Sequence, residues 1–177
     1  MKAAASRTQN SLNAGSPIST AQASASYPIF DPPTEAIRHC EIGKLMLSRG
    51  QYQAALQQFE QALALQPHAI AAWCGRSEAL ACLNRYEEAL RSIEQAQMLS
   101  DLTDTQIWVQ KAVVLIFLQR YEEALSCCTL ILQRHPNHVQ ALLFQGVALH
   151  RLGQYRKAYR SYRQVTELSA APMIDRP

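Results

Sequence analysis

Arg85-Tyr86-Glu87-Glu88-Ala89-Leu90 is repeated letter for letter at Arg120-Tyr121-Glu122-Glu123-Ala124-Leu125. Looser copies flank the pair, Gln51-Tyr52-Gln53-Ala54-Ala55-Leu56 before it and Gln154-Tyr155-Arg156-Lys157-Ala158-Tyr159 after it. Tyr52, Tyr86, Tyr121 and Tyr155 stand 34, 35 and 34 residues apart, and Ala55, Ala89, Ala124 and Ala158 keep the same intervals. A fixed period of this size marks a stacked array, in which each unit buries its apolar face only against its neighbours. Such an array works by presenting a surface to a partner.

Working outward from those copies, each unit reads as helix, turn, helix, turn. From Glu35 to Arg49 the residues Ile37, Cys40, Ile42, Leu45, Met46 and Leu47 suit a helix, and Gly50 supplies a turn that can take a left-handed conformation. A second helix runs from about Tyr52 to Leu65 and stops before Pro67. The later units turn at Asn84, Gln119 and Gly153 between helices, and at Asp101, Pro136 and Ala170 to Pro172 at their ends. Asp31 with Pro32 is placed to start the first helix, and Thr103 with Gln106 has the spacing of a capping box for the third unit.

The remainder of the chain is of another kind. Residues 1–30 hold seven Ala and six Ser with few large apolar groups before Tyr27, too little to offset the entropy of ordering, so a disordered tail is expected there. Lys2 is not followed by an apolar run of about seven residues, as a secretory signal requires, and no run approaches the roughly 18 apolar residues of a membrane span. The tail's Ser, Ala, Lys2 and Arg7 have the composition of a transit peptide, but a plain flexible extension accounts for them.

Charge and cysteine content narrow the function classes. The formal net charge is +3 over 177 residues, too small to imply nucleic acid by itself. Residues 35–138 carry nine Lys and Arg against eleven Asp and Glu, whereas residues 139–177 carry six against two. Five cysteines without a C-x-x-C pair form neither a disulfide framework nor a zinc pattern, and reduced thiols suit a cytoplasmic location. No phosphate loop, nucleophile elbow or Ser/His/Asp order is present. The Glu87-Glu88 and Glu122-Glu123 pairs recur with the repeat and read as a solvated face. His135 and His138 flank the turn where the repeat demands Pro136 and lack a third ligand. An enzyme, a metal and a cofactor are therefore not expected.

The pattern resembles the tetratricopeptide repeat (TPR) family over about residues 35–172. Unit one matches it with Gly43, Tyr52, Ala55, Phe59, Ala62 and Pro67; unit two with Trp73, Ser77, Tyr86, Ala89, Ile93 and Ala96. Unit three supplies Trp108, Ala112, Tyr121, Ala124, Cys128, Ile131 and Pro136; unit four supplies Gly146, Tyr155, Ala158, Tyr162 and Val165. Arg76, Lys111 and Gln145 replace the usual Leu beside the small residue, and Gln119 replaces a turn Gly. The resemblance implies an all-α fold, a right-handed α-solenoid of four helix-turn-helix repeats and eight helices, with units near 36–69, 70–104, 105–138 and 139–172.

It also implies a concave wall lined by the first helix of each unit. The expected groove residues are Cys40, Lys44 and Leu47; Cys74 and Glu78; Val109, Val113, Ile116 and Phe117; and Leu143, Val147, His150 and Arg151, with Gln106 and Gln140 beside them. Some family members hold a partner's terminal carboxylate with Lys, Asn and Arg in these places. Here only Lys44 and Arg151 are suitably placed, and no Asn joins them. The third first helix, Trp108 to Leu118, is apolar around nearly its whole circumference and must be covered on every side. Neighbouring units, a partner's apolar segment or the chain's own Tyr27-Pro28-Ile29-Phe30 would each do so.

The function expected is a non-enzymatic scaffold, adaptor or assembly factor that binds an apolar or amphipathic protein segment in the groove. Two alternatives stand beside it: a small TPR chaperone of a secretion system holding an exported client, and RNA binding through Tyr155-Arg156-Lys157-Ala158-Tyr159-Arg160-Ser161-Tyr162-Arg163, which mixes aromatics and arginines as single-strand binders do. A partner, a second copy or water would also meet the stripe of Ala158, Tyr159, Tyr162, Val165 and Thr166 left at the end of the array.

Overall fold

The computed structural model describes residues 32–100 and 104–170. Among them the chain forms eight α-helices and no strand: α1 (Pro32–Ser48), α2 (Tyr52–Leu65), α3 (Ile70–Cys82), α4 (Tyr86–Leu99), α5 (Thr105–Phe117), α6 (Tyr121–Arg134), α7 (Val139–Arg151) and α8 (Tyr155–Ala170). They are the paired helices of a right-handed α-solenoid, each packing on the next and each first helix touching the first helix of the following unit. The expected tail, its Tyr27 to Phe30, Asp31 and Thr103 lie outside the described residues. The third unit is capped one residue later than the sequence suggests: Asp104 precedes α5 and its carboxylate accepts a hydrogen bond from the Gln106 amide at 3.0 Å.

The turn inside every unit has one geometry. Gly50, Asn84, Gln119 and Gly153 all adopt a left-handed backbone, with φ of 73°, 60°, 60° and 74°. In each case the next amide reaches back five residues, Gln51 to Met46, Arg85 to Leu80, Arg120 to Leu115 and Gln154 to Leu149, at 2.9 Å in all four. This closure satisfies the last carbonyls of the first helix and sends the chain back antiparallel. Gln119 performs it with a Cβ that a left-handed residue accommodates poorly.

Small residues decide how closely the helices approach. The Phe59 ring, fully buried in α2, lies between Gly43 of α1 and Gly75 of α3; a Cβ on Gly43 would stand 2.8 Å from it, and one on Gly75 would overlap it. Gly146 of α7 admits the Tyr162 ring of α8 in the same way. Ser77 takes that place in α3 and donates a buried hydrogen bond of 2.9 Å to the Ala89 carbonyl. Ala55, Ala89 and Ala124 are fully buried and Ala158 is 1% exposed, so Ala158 is core rather than part of an exposed terminal stripe.

The polar residues standing where Leu is usual are each given a partner on a second helix. Arg76 donates to Ser92 Oγ at 2.6 Å and meets Glu60 at 3.4 Å. Lys111 reaches Gln97 at 3.1 Å and Glu94 at 3.3 Å, and Gln145 accepts from Ser161 at 2.8 Å. These contacts bridge first helices to second ones, and the two basic side chains are largely covered, at 21% and 18% exposure.

Two substitutions test this account. Gln119→Gly should stabilise the protein by about 1 kcal/mol by removing the left-handed Cβ, part of the gain being offset by added unfolded-chain entropy. Gly75→Ala should instead destabilise by about 1–2 kcal/mol, because overpacking against Phe59 exceeds the gain in helix propensity. Urea unfolding of both variants measures the two signs, and a stabilising Gly75→Ala would contradict the packing described.

Candidate functional site: the concave cleft

The first helices α3, α5 and α7 enclose a cleft of about 260 Å³ on the inner wall. Its lining includes Glu78 from α3, Gln106, Val109, Gln110 and Val113 from α5, and Gln140 and Phe144 from α7. Gln106, Gln110, Val113 and Phe117 follow one another at helical spacing, which puts them on one stripe of α5. The floor is apolar: Val109 is 4% exposed and packs with Ile131 and Ala141, with Phe144 and Trp108 against them. The rim carries amides and one carboxylate. Gln110 Oε1 is buried and accepts no hydrogen bond among the described residues. A buried amide oxygen without a donor carries a desolvation cost of about 1–3 kcal/mol, which turning the Gln110 amide toward the cleft to meet a ligand N–H would relieve.

Of the groove residues expected from the sequence, the cleft gathers Glu78, Val109 and Val113, together with Gln106 and Gln140. The others are placed differently. Cys40 is buried with Ala62 and Ala72, and Leu47, Cys74 and Ile116 pack as half-buried residues against the main core. Lys44, His150 and Arg151 are exposed, Val147 is half-buried and Leu143 is 40% exposed. His150 also meets the Tyr155 ring edge-on, centroids 5.1 Å apart. Phe117 is 56% exposed, yet one face stacks on Tyr86 with centroids 4.9 Å apart and planes within 1°. It is therefore a packing residue of the α4 start as much as a groove residue, and such a stack contributes about 0.5–1.5 kcal/mol.

Sequence reasoning passed over Gln110 and Phe144. The signal for Gln110 was the spacing of Gln106 and Val113 on either side of it. For Phe144 it was the equivalent place in α7, since Gln110 precedes Ala112 and Phe144 precedes Gly146 by the same two residues. As for the covering of α5, neighbouring helices account for most of it: Ile107, Ala112, Val114 and Leu115 are at most 3% exposed.

The titratable groups behave as structural ones. Arg85 grips Glu88 through two hydrogen bonds of 2.6 and 2.7 Å, and Arg120 grips Glu123 with the same distances. The hydrogen bonds from the two arginines hold both carboxyls below the usual carboxylate range, the reverse of a general acid. His138 Nδ1 accepts from the Ala141 amide at 3.2 Å and so caps α7. Burial pushes the Cys74 thiol up to about 11, with Asp104 adding to the shift and Lys44 opposing it. Burial pushes Cys128 up to about 12.

Comparisons with known proteins agree with the architecture. The tetratricopeptide repeat model matches residues 40–101 and 109–172, and the chain belongs to that family. A comparison with curated protein sequences found no match. Among solved structures, MamA from Desulfovibrio magneticus RS-1 superposes with a TM-score of 0.68 at 20% identity, over 76% of this chain and 75% of that one. YrrB, described as a TPR protein with an unusual peptide-binding site, gives 0.64 at 23% identity over 75% and 68%. The second TPR domain of human RPAP3, in complex with the HSP70 peptide SGPTIEEVD, gives 0.62 at 22% identity over 67% and 98%.

The raised thiols have a measurable consequence. A folded-state pKa above the unfolded one means that the unfolded chain loses its thiol protons first, so stability is complete below about pH 8.5 and falls as pH rises toward the folded values. Between roughly pH 9 and pH 10.5 the unfolding free energy should drop by on the order of 1 kcal/mol per buried thiol. Cys128→Ala, at a fully buried thiol, should remove one share of that slope, which urea titrations across the range would show.

Proposed function

We propose that the protein is a peptide-binding adaptor whose concave cleft takes an extended segment of another protein, an apolar side chain entering between Val109, Val113 and Phe144 while main-chain groups meet the amides of the rim. The observation that carries this is Gln110 Oε1, buried in the wall and without a donor. An apolar segment in extended form supplies both missing parts, a side chain for the floor and an N–H for the Gln110 amide once it turns toward the cleft. Glu78 on the α3 side adds a preference for a basic residue beside the apolar one. YrrB and the RPAP3 domain, each described with a peptide site or peptide ligand, lend support at the level of the shared fold. Assembly, scaffolding and chaperone-like holding of a client are all roles that such a cleft can serve.

The test begins with peptides selected from a random library on the wild-type protein, whose dissociation constants are then measured against variants. Val113→Glu should weaken binding by at least about tenfold, since it places an uncompensated carboxylate on the apolar floor. Gln110→Leu should weaken binding by about 1–3 kcal/mol while leaving the free protein equally stable or more so, because it removes an unsatisfied acceptor. Selected peptides that bind both variants as well as the wild type would place the interaction elsewhere.

A further inference from the structure

Among the described residues α8 packs on α7 alone, which leaves its outer face uncovered. Tyr159 is 68% exposed, whereas its equivalents Leu56 and Leu90 are 2% and 6% exposed and Leu125 is half-buried. Those three belong to units followed by another, and α8 is followed by no further helix among the described residues. Thr166 is exposed beside Tyr159, with Tyr162 and Val165 half-buried at the edge of the stripe. The stripe is mixed in character, with tyrosine rings and the stems of Arg156, Arg160 and Arg163, and Glu167 is the only described acid of α8.

The repeat register says what kind of helix fits there. Five residues after the recurring alanine of each unit stand Glu60, Glu94, Thr129 and Arg163. The first two face the next unit: Glu60 pairs with Arg76 at 3.4 Å and Glu94 with Lys111 at 3.3 Å, the basic groups being only 21% and 18% exposed. Thr129 and Gln145 line a common cleft, a neutral residue opposite a neutral one. Each junction thus matches the charge of the second helix with its complement on the incoming first helix, immediately before the small residue. At Arg163 the sign is inverted. A helix seated on α8 in the same manner needs a carboxylate at that place, which none of this chain's own first helices has: they carry Ile42, Arg76, Lys111 and Gln145.

We infer that the α8 face is a second docking surface, distinct from the concave cleft, and that it takes an acidic amphipathic helix from another protein, seated as a next first helix would be with its carboxylate on Arg163. Charge argues against a second copy. Head-to-tail stacking would bring Arg38 and Ile42 of α1 to the arginines of α8, and tail-to-tail stacking would set those arginines against one another. Among the described residues the Arg163 guanidinium meets only Glu167, four residues on, at 2.8 Å, and both side chains are well exposed at 67% and 59%. An exposed pair of this kind is weak and readily exchanged.

The probe is a labelled synthetic peptide covering residues 70–83 with Arg76→Glu and both cysteines replaced by alanine; the control peptide keeps Arg76. By fluorescence anisotropy at low salt, the Arg76→Glu peptide should bind the full chain about fivefold more tightly than the control, the ratio a single exposed ion pair yields, and the difference should shrink as salt is added. Arg163→Glu, a surface change checked by circular dichroism, should reverse the order of the two peptides. Tyr159→Ser should weaken both, while Val113→Glu in the cleft should leave both unchanged. Equal binding of the two peptides, or an order that Arg163→Glu does not reverse, overturns the proposal. So does a wild-type dimer in sedimentation that Tyr159→Ser dissolves, which would make the occupant a second copy. Binding of a labelled oligouridine that is lost in Arg163→Glu would assign the face to nucleic acid, and markedly tighter peptide binding after deletion of residues 171–177 would assign it to the chain's own end.

Discussion

Close approach of paired helices at positions without side-chain bulk is the constraint on which the molecule depends. Phe59 fills the space left open by Gly43 and Gly75, Tyr162 that left by Gly146, and Ser77 closes on the backbone of α4 through its hydroxyl. An interior of this kind tolerates neither extra methylenes nor gaps. Each unit therefore has one way to pack, and four units in a row repeat that way. The superhelical wall follows from it, because the rotation between units is set by the same small residues each time.

The left-handed turns serve the packing. Once Gly50, Asn84, Gln119 or Gly153 closes the six-residue loop, the second helix must return beside the first, and the buried alanine lands opposite the small residue. Asn84 is helped by its own neighbour, since Tyr86 donates to Asn84 Oδ1 at 2.7 Å. Tyr86 in turn supports Phe117 of the next unit by stacking. One turn thus fixes a contact between units as well as one within a unit.

Electrostatics divides the surface by role. Between units, positive side chains of α3 and α5 reach the preceding second helices and hold the junctions together, at Arg76 and at Lys111. On the concave side, Glu78 and three glutamines surround an apolar floor, so the wall offers hydrogen bonds more than charge. At the far end α8 keeps the shape of an internal second helix but not its sign. The same fold therefore offers two surfaces of different chemistry, an amide-rimmed cleft and a tyrosine and arginine face.

The sequence by itself determined the period, the helix pairs, the turns and the family, because these rest on local rules: tyrosine and alanine at fixed intervals, Gly or Asn where φ must be positive, Pro where a helix must stop. The places of Gln119 and of the polar residues Arg76, Lys111 and Gln145 were visible as departures, but their partners were not. Ser92, Glu60, Glu94 and Ser161 come from other helices, and only packing brings them within reach. The groove was legible as a set of first-helix positions and not as a site. Tertiary structure decided that Cys40 is buried with Ala62, that Phe117 turns one face to Tyr86, and that Gln110 and Phe144 close the cleft. Helical spacing tells which residues share a face of one helix, whereas the depth of a face and the partner of a buried amide depend on where three helices converge.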